Sequence, residues 1–195
     1  MAIDWFFLFS VSILVVVFPL LIILSLWRYR RIKHLMEQEA LKRNGTVIGS
    51  RLLPVLRFSY RSVPVVVTSV PGSKYRQAKT TVNCTVRKPV ASDLTIVKES
   101  LGTRLGKAVG STDVELGSDE FDQEFVIKTL DETFARNVLT YMVQQKLLEM
   151  KQVKPRVMLK GTQLTVQVPR VVKTPEEYDR LFDLAFAFVD QVEGF

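Results

Sequence analysis

Residues 5–27 read WFFLFSVSILVVVFPLLIILSLW, 23 residues without a charge, and this run divides the chain into an anchor and everything after it. An apolar helix needs about 20 residues to cross a hydrocarbon core, so the run is predicted to span a bilayer. Trp5 and Trp27 bracket it, as aromatic residues do at membrane–water interfaces. Pro19 removes one backbone donor inside the span, which a transmembrane helix tolerates as a mild kink. A cleaved signal peptide is the rival reading. It fails because only Asp4 is charged before the run and no small-residue cleavage site follows.

Arg28, Arg30, Arg31 and Lys33 follow the run at once, and no Lys or Arg precedes it. The positive-inside rule then puts residues 1–4 outside and everything after Trp27 in the cytoplasm. These four basic residues and the two tryptophans are the expected membrane-interface set. Cys84 is the only cysteine, so no intrachain disulfide framework exists.

Working outward, residues 28–43 continue the helix as a juxtamembrane linker, with Ile32, Leu35, Met36 and Leu41 among mixed charges. They read as a solvated connector, with a weak coiled coil or interfacial helix as the alternative. Residues 44–195 suffice for one domain with its own core. Strands are predicted at 46–48, 55–60, 63–70, 76–87, 93–98 and 124–128, from β-branched and aromatic enrichment bounded by turn residues. In residues 76–87, Ala78, Thr80, Val82, Cys84 and Val86 share one face and Lys79, Thr81, Asn83 and Thr85 the other. A hairpin is expected from Arg156–Lys160 to Gln163–Val168 across Gly161-Thr162. One helix is predicted from a Thr129/Glu132 capping box to about Met150. Another starts at Thr174, with Pro175 first and Glu177 completing the box. The fold class is α+β: an N-terminal transmembrane helix, then an antiparallel sheet packed with two main helices.

Charge is distributed unevenly. The chain carries 27 Lys/Arg against 20 Asp/Glu. From residue 40 to 92 there is no acidic residue, while Arg57, Arg61, Arg76 and Lys79 are among the basic ones. Those four are the candidate anion or partner face, suited to anionic lipid headgroups or an acidic protein. Ordinary solvent-facing strand residues are the competing reading. Nucleic acid lacks support, since no helix-turn-helix, RNP-like aromatic motif or zinc knuckle is visible.

No catalytic, cofactor or metal residue is assigned. His34 is the only histidine and lies outside the domain, which removes any His-based triad within it. Cys84, on an apolar strand face, reads as structural. Gly102, Gly106 and Gly110 match neither a Walker loop nor a dinucleotide fingerprint. The acidic stretch from Asp113 to Glu124 has the length of an EF-hand loop, but Gly117 and Ser118 occupy the wrong positions.

The distal half carries a resemblance. Gly110 to Gly117, then Phe121-Asp122-Gln123-Glu124-Phe125-Val126-Ile127-Lys128, then Ala135-Arg136 and Leu139, resembles bacterial membrane-anchored proteins of unknown function. In those, an "FD..F.I" strand precedes an "A+..L" helix after a short anchor. It covers about residues 98–190 and implies an α+β domain on a membrane, and it supplies no activity and no catalytic residues to carry over. Three functions follow as expectations. The first is a membrane-tethered, non-enzymatic interaction or assembly domain, an accessory subunit of a membrane complex with a membrane-protein or self partner. The second is a module binding anionic lipid or small anions at the inner membrane surface. The third is an enzyme of unrecognised type.

Overall fold

A computed structural model describes residues 5–50, 53–99 and 112–194. Helix α1 (Trp5–Lys42) is continuous over 38 residues. Its side chains before Tyr29 are described only at Val15, Val17, Pro19, Leu20, Ile23 and Trp27, and all six are exposed. Those of Trp5 and Arg28 lie outside the described residues. Among the described residues, no helix is long and apolar enough to cross a membrane.

The juxtamembrane stretch is no solvated connector. Ile32, Leu35, Met36 and Ala40 of α1 are buried in the domain's core, at the i, i+3, i+4 spacing that puts one helical stripe inward. Leu41, counted among the apolar positions of that stretch, faces solvent. The helix breaks at Arg43–Asn44, and positive φ at Asn44 turns the chain into the sheet.

Nine described strands form one antiparallel sheet: β1 (Thr46–Gly49), β2 (Pro54–Tyr60), β3 (Val63–Val70), β4 (Lys79–Thr85), β5 (Leu94–Lys98), β6 (Thr112–Asp113), β7 (Phe125–Thr129), β8 (Arg156–Lys160) and β9 (Gln163–Val168). Their spatial order is β1-β2-β3-β4-β9-β8-β5-β7-β6. The hairpin across Gly161-Thr162 forms as expected, with Lys160 opposite Gln163. Alternation along β4 holds in part: Thr80, Val82 and Cys84 are buried and Lys79 and Thr85 exposed, but Thr81, expected on the outer face, is buried as well. One sheet face, with Leu56, Val67, Val82, Ile96 and Val166, shares a core with α1 and with α5 (Pro175–Glu193), whose Leu181, Phe182, Ala185 and Phe188 point into it. The other face carries the cross-strand row Arg57, Val66, Asn83, Thr165, Met158 and Thr95, each at least partly exposed.

Two expectations need correction in the distal half. The stretch Asp119–Glu124 forms a short helix, α2, so that Phe121 reaches the core from a helix and stacks 5.1 Å from Phe125 of β7. The helix predicted to run to Met150 is two helices, α3 (Glu132–Val138) and α4 (Tyr141–Glu149). Leu139 is buried, and Thr140 takes an extended ψ of 163°, which ends the first helix. Asp131, not Thr129, caps α3, accepting from the Phe134 N–H at 2.9 Å. The glycine run Gly102–Gly106–Gly110 lies outside the described residues.

Thr174 caps α5 as predicted, accepting from the Glu177 N–H at 3.3 Å. Glu177 reaches back one residue further than a capping box requires, to the Lys173 N–H at 2.8 Å.

Candidate functional site

The sheet end at which β3 finishes and β4 starts lies beside the place where α1 enters the domain. Three walls enclose a cleft of ≈ 550 Å³ there. Trp27, Arg31, Ile32 and Leu35 of α1 form the first. Pro71, Gly72 and Ala78, at the base of the β3–β4 hairpin, form the second. The third is the loop Arg170–Lys173 between β9 and α5, with Glu177 behind it.

A buried hydroxyl relay holds the third wall. Thr80 Oγ1 lies 3.0 Å from the Arg170 carbonyl and 3.1 Å from the Val172 N–H. Ser69 Oγ is 2.9 Å from Thr80 Oγ1 and 3.2 Å from the Tyr178 hydroxyl. One proton assignment satisfies every group: Tyr178 donates to Ser69, Ser69 to Thr80, and Thr80 to the Arg170 carbonyl while accepting from Val172. Burial pushes the Tyr178 hydroxyl up to about 12, so it remains a neutral donor. Arg170 then pairs with Glu177 at 2.9 Å, which fixes the loop from outside.

The cleft is apolar at its floor and basic at its mouth. Ile32 and Val172 are buried, and Leu35 lies at the edge of burial. Arg31 and Lys173 are exposed, with no ion-pair partner among the described residues. Such a mix suits an amphiphile, its apolar part on the floor and an anionic part between two cations.

Three of the four predicted face residues share one sheet face, and Arg61 lies apart. Arg61 sits in the β2–β3 turn at the opposite end of the sheet, paired with Asp190 at 2.9 Å. Arg76 and Lys79 border a second hollow with Val55, Thr68 and Val70, ≈ 730 Å³ and shallow. Arg57 is exposed on the same sheet face, in the neighbouring cross-strand row. Arg30 and Arg31 are exposed on α1, and Lys33 is half-buried and 3.6 Å from Glu37. Sequence reading missed Arg170 and Lys173. They come from the net-acidic half of the chain, and only the packing of α1 against the β9–α5 loop brings them to Arg31.

The acidic stretch is used in folding. Asp122 accepts the N–H groups of Leu116, Gly117 and Ser118 at 3.1, 2.9 and 3.1 Å. Glu124 faces Lys98 at 3.1 Å and Lys151 at 3.6 Å, and these cations hold its carboxyl below its usual value. Among the described residues, no cluster of His, Cys, Asp and Glu could hold a metal ion. His34 is exposed on α1. Cys84 is buried, and desolvation raises its thiol to about 12.

No known family model matches the sequence, and no curated protein matches it. The crystal structure of the mycobacterial trehalose monomycolate transport factor A, TtfA, has the same fold. The TM-score is 0.55 at 11% identity, covering 84% of this chain and 93% of that one. The likeness shows an α+β fold shared over nearly the whole of both chains.

Proposed function

We propose that the chain is a membrane-tethered, non-enzymatic interaction domain serving as an accessory in a membrane process. The observation that carries this reading is the dual character of α1. Its first 23 residues are uncharged and apolar, whereas Ile32, Leu35, Met36 and Ala40 are core residues of the domain. A run of 23 helical residues is about 34 Å long, matching a bilayer core of roughly 30 Å. The exposed Val15, Leu20, Ile23 and Trp27 would then face lipid or a neighbouring helix rather than water. The basic flank of Arg28, Arg30, Arg31 and Lys33 supports placing the domain on the cytoplasmic side. Because one helix is both span and core element, the domain would be held against the leaflet without a slack linker.

A second reading is favoured by the cleft. Its apolar floor and the cations of Arg31 and Lys173 suit an anionic lipid or a similar amphiphile entering at headgroup level. TtfA, which shares the fold, is a transport factor for trehalose monomycolate, and this agrees in kind with an accessory that attends an amphiphile.

Purification of the full-length protein from its native membrane in mild detergent tests the proposal, with mass spectrometry of both proteins and lipids. A stoichiometric protein companion that survives moderate salt supports the accessory role. A lipid retained by the native chain and lost in Arg31→Glu/Lys173→Glu supports the second reading. Recovery of the chain alone, with neither, counts against both.

A further inference from the structure

We propose that the tip of the β3–β4 hairpin, Ser73–Arg76, is a second contact with an anionic bilayer surface, beside the point where α1 leaves it. The inference rests on the reading that residues 5–27 lie in the bilayer, and adds to it a specific orientation of the domain.

Position is the first argument. Pro71, Gly72 and Ala78, at the base of this hairpin, line the same cleft as Trp27 and Arg31. Trp27 is the last residue of the uncharged run, so the hairpin tip projects from the edge of the domain next to the membrane exit.

Chemistry is the second. Tyr75 is 90% exposed, the most exposed large hydrophobic residue described, and contributes nothing to the core. Lys74 places its Nζ 5.7 Å from the Tyr75 ring centre, and Arg76 and Lys79 are exposed on the same segment. No acidic residue occurs from residue 40 to 92 to offset them. An amphipathic ring among cations matches the headgroup layer, where aromatic side chains concentrate and basic ones meet anionic lipid.

Rigidity is the third. The Ser73 N–H donates to the Arg76 carbonyl at 2.7 Å and the Arg76 N–H returns to Ser73 at 3.3 Å. Ser73 Oγ also accepts the Tyr75 N–H at 3.3 Å. The turn is therefore formed before contact, and little ordering is left for docking to impose.

The test uses the full-length chain reconstituted into phosphatidylcholine vesicles with or without phosphatidylglycerol. An environment-sensitive nitrobenzoxadiazole dye is attached at Gln77→Cys, or at Gln163→Cys at the opposite end of the sheet as control. Buried Cys84 leaves the introduced thiol as the reactive one. The expected result is blue-shifted emission at position 77, quenched by spin-labelled headgroups and stronger with phosphatidylglycerol, while position 163 stays aqueous. Lys74→Glu/Arg76→Glu should reduce the docked fraction on the order of tenfold, and Tyr75→Ala should abolish the quenching. A chain that floats with the vesicles yet keeps position 77 aqueous overturns this inference and leaves the tethered reading intact. A chain that does not float overturns both.

Discussion

Arg43 Nη2 donates to the Asp179 carboxylate at 2.6 Å, tying the end of α1 to the second turn of α5. The same guanidinium is bound by the fully buried Glu39 and lies 4.4 Å over the ring of Phe182. Three elements of binding thus meet at one side chain where α1 ends. Arg43→Ala leaves Glu39 buried with only Lys42, 2.9 Å away. The expected loss of stability is about 3 kcal/mol, in the range for an orphaned buried charge. Asp179 is half-exposed, and Asp179→Ala should cost below about 1 kcal/mol. Urea denaturation of both variants in detergent checks the contrast, and equal losses would contradict it.

Thr80 is the support of the cleft's third wall. Thr80→Val preserves volume but strips the Arg170 carbonyl and the Val172 N–H of their buried partner. We expect a loss of about 1–3 kcal/mol, with weaker retention of any lipid found in the cleft. Ser69→Ala, one step further along the relay, should weaken stability without altering lipid retention. Thermal melts and lipid mass spectrometry on the two variants separate these effects.

Much of this architecture was legible beforehand, for physical reasons that differ by element. The β8–β9 hairpin, the inward face of β4 and the start of α5 are governed by neighbouring residues, so local patterning suffices. The break at Leu139–Thr140 is set by burial of Leu139 in a core assembled from distant segments, and nothing local announces it. The role of residues 32–40 was obscured because a juxtamembrane stretch with charges resembles a linker until its apolar stripe meets β2. The candidate site was the least legible part. Arg31 and Lys173 are 142 residues apart, and charge counting pointed to Arg61, which the fold commits to Asp190.

Cys84 gives a simple check on the core. Its thiol, raised to about 12 by desolvation, should be inert to maleimide near neutral pH in the native protein and react fully in guanidinium. Native-state labelling at the rate of a free thiol would mean that β4 is not packed as described.

The acid limb of stability provides a fourth test. Glu124 has its carboxyl held below the ordinary 4.5 by its hydrogen bond with Lys98 and then by Lys151. A depressed carboxyl stabilises the fold above its unfolded pKa, and that contribution is lost as pH falls through the folded value. Glu124→Gln should therefore melt lower than the native chain near neutral pH. The gap should begin to narrow near the ordinary 4.5 and close as pH falls through the lower folded-state value, where the native carboxylate is protonated as well. A gap that stays constant with pH would remove the ion pairs from the explanation.

The proposed topology has residues 5–27 crossing the bilayer and the α+β domain on the cytoplasmic side. Its most direct test is labelling of intact and permeabilised cells with an impermeant maleimide, using Ala2→Cys and Gln163→Cys in the full-length chain after alkaline extraction of parallel membranes. The expected result is a chain that resists alkaline extraction, labelling at position 2 in intact cells, and labelling at position 163 only after permeabilisation. Release by alkali, or labelling of position 163 from outside, would contradict it.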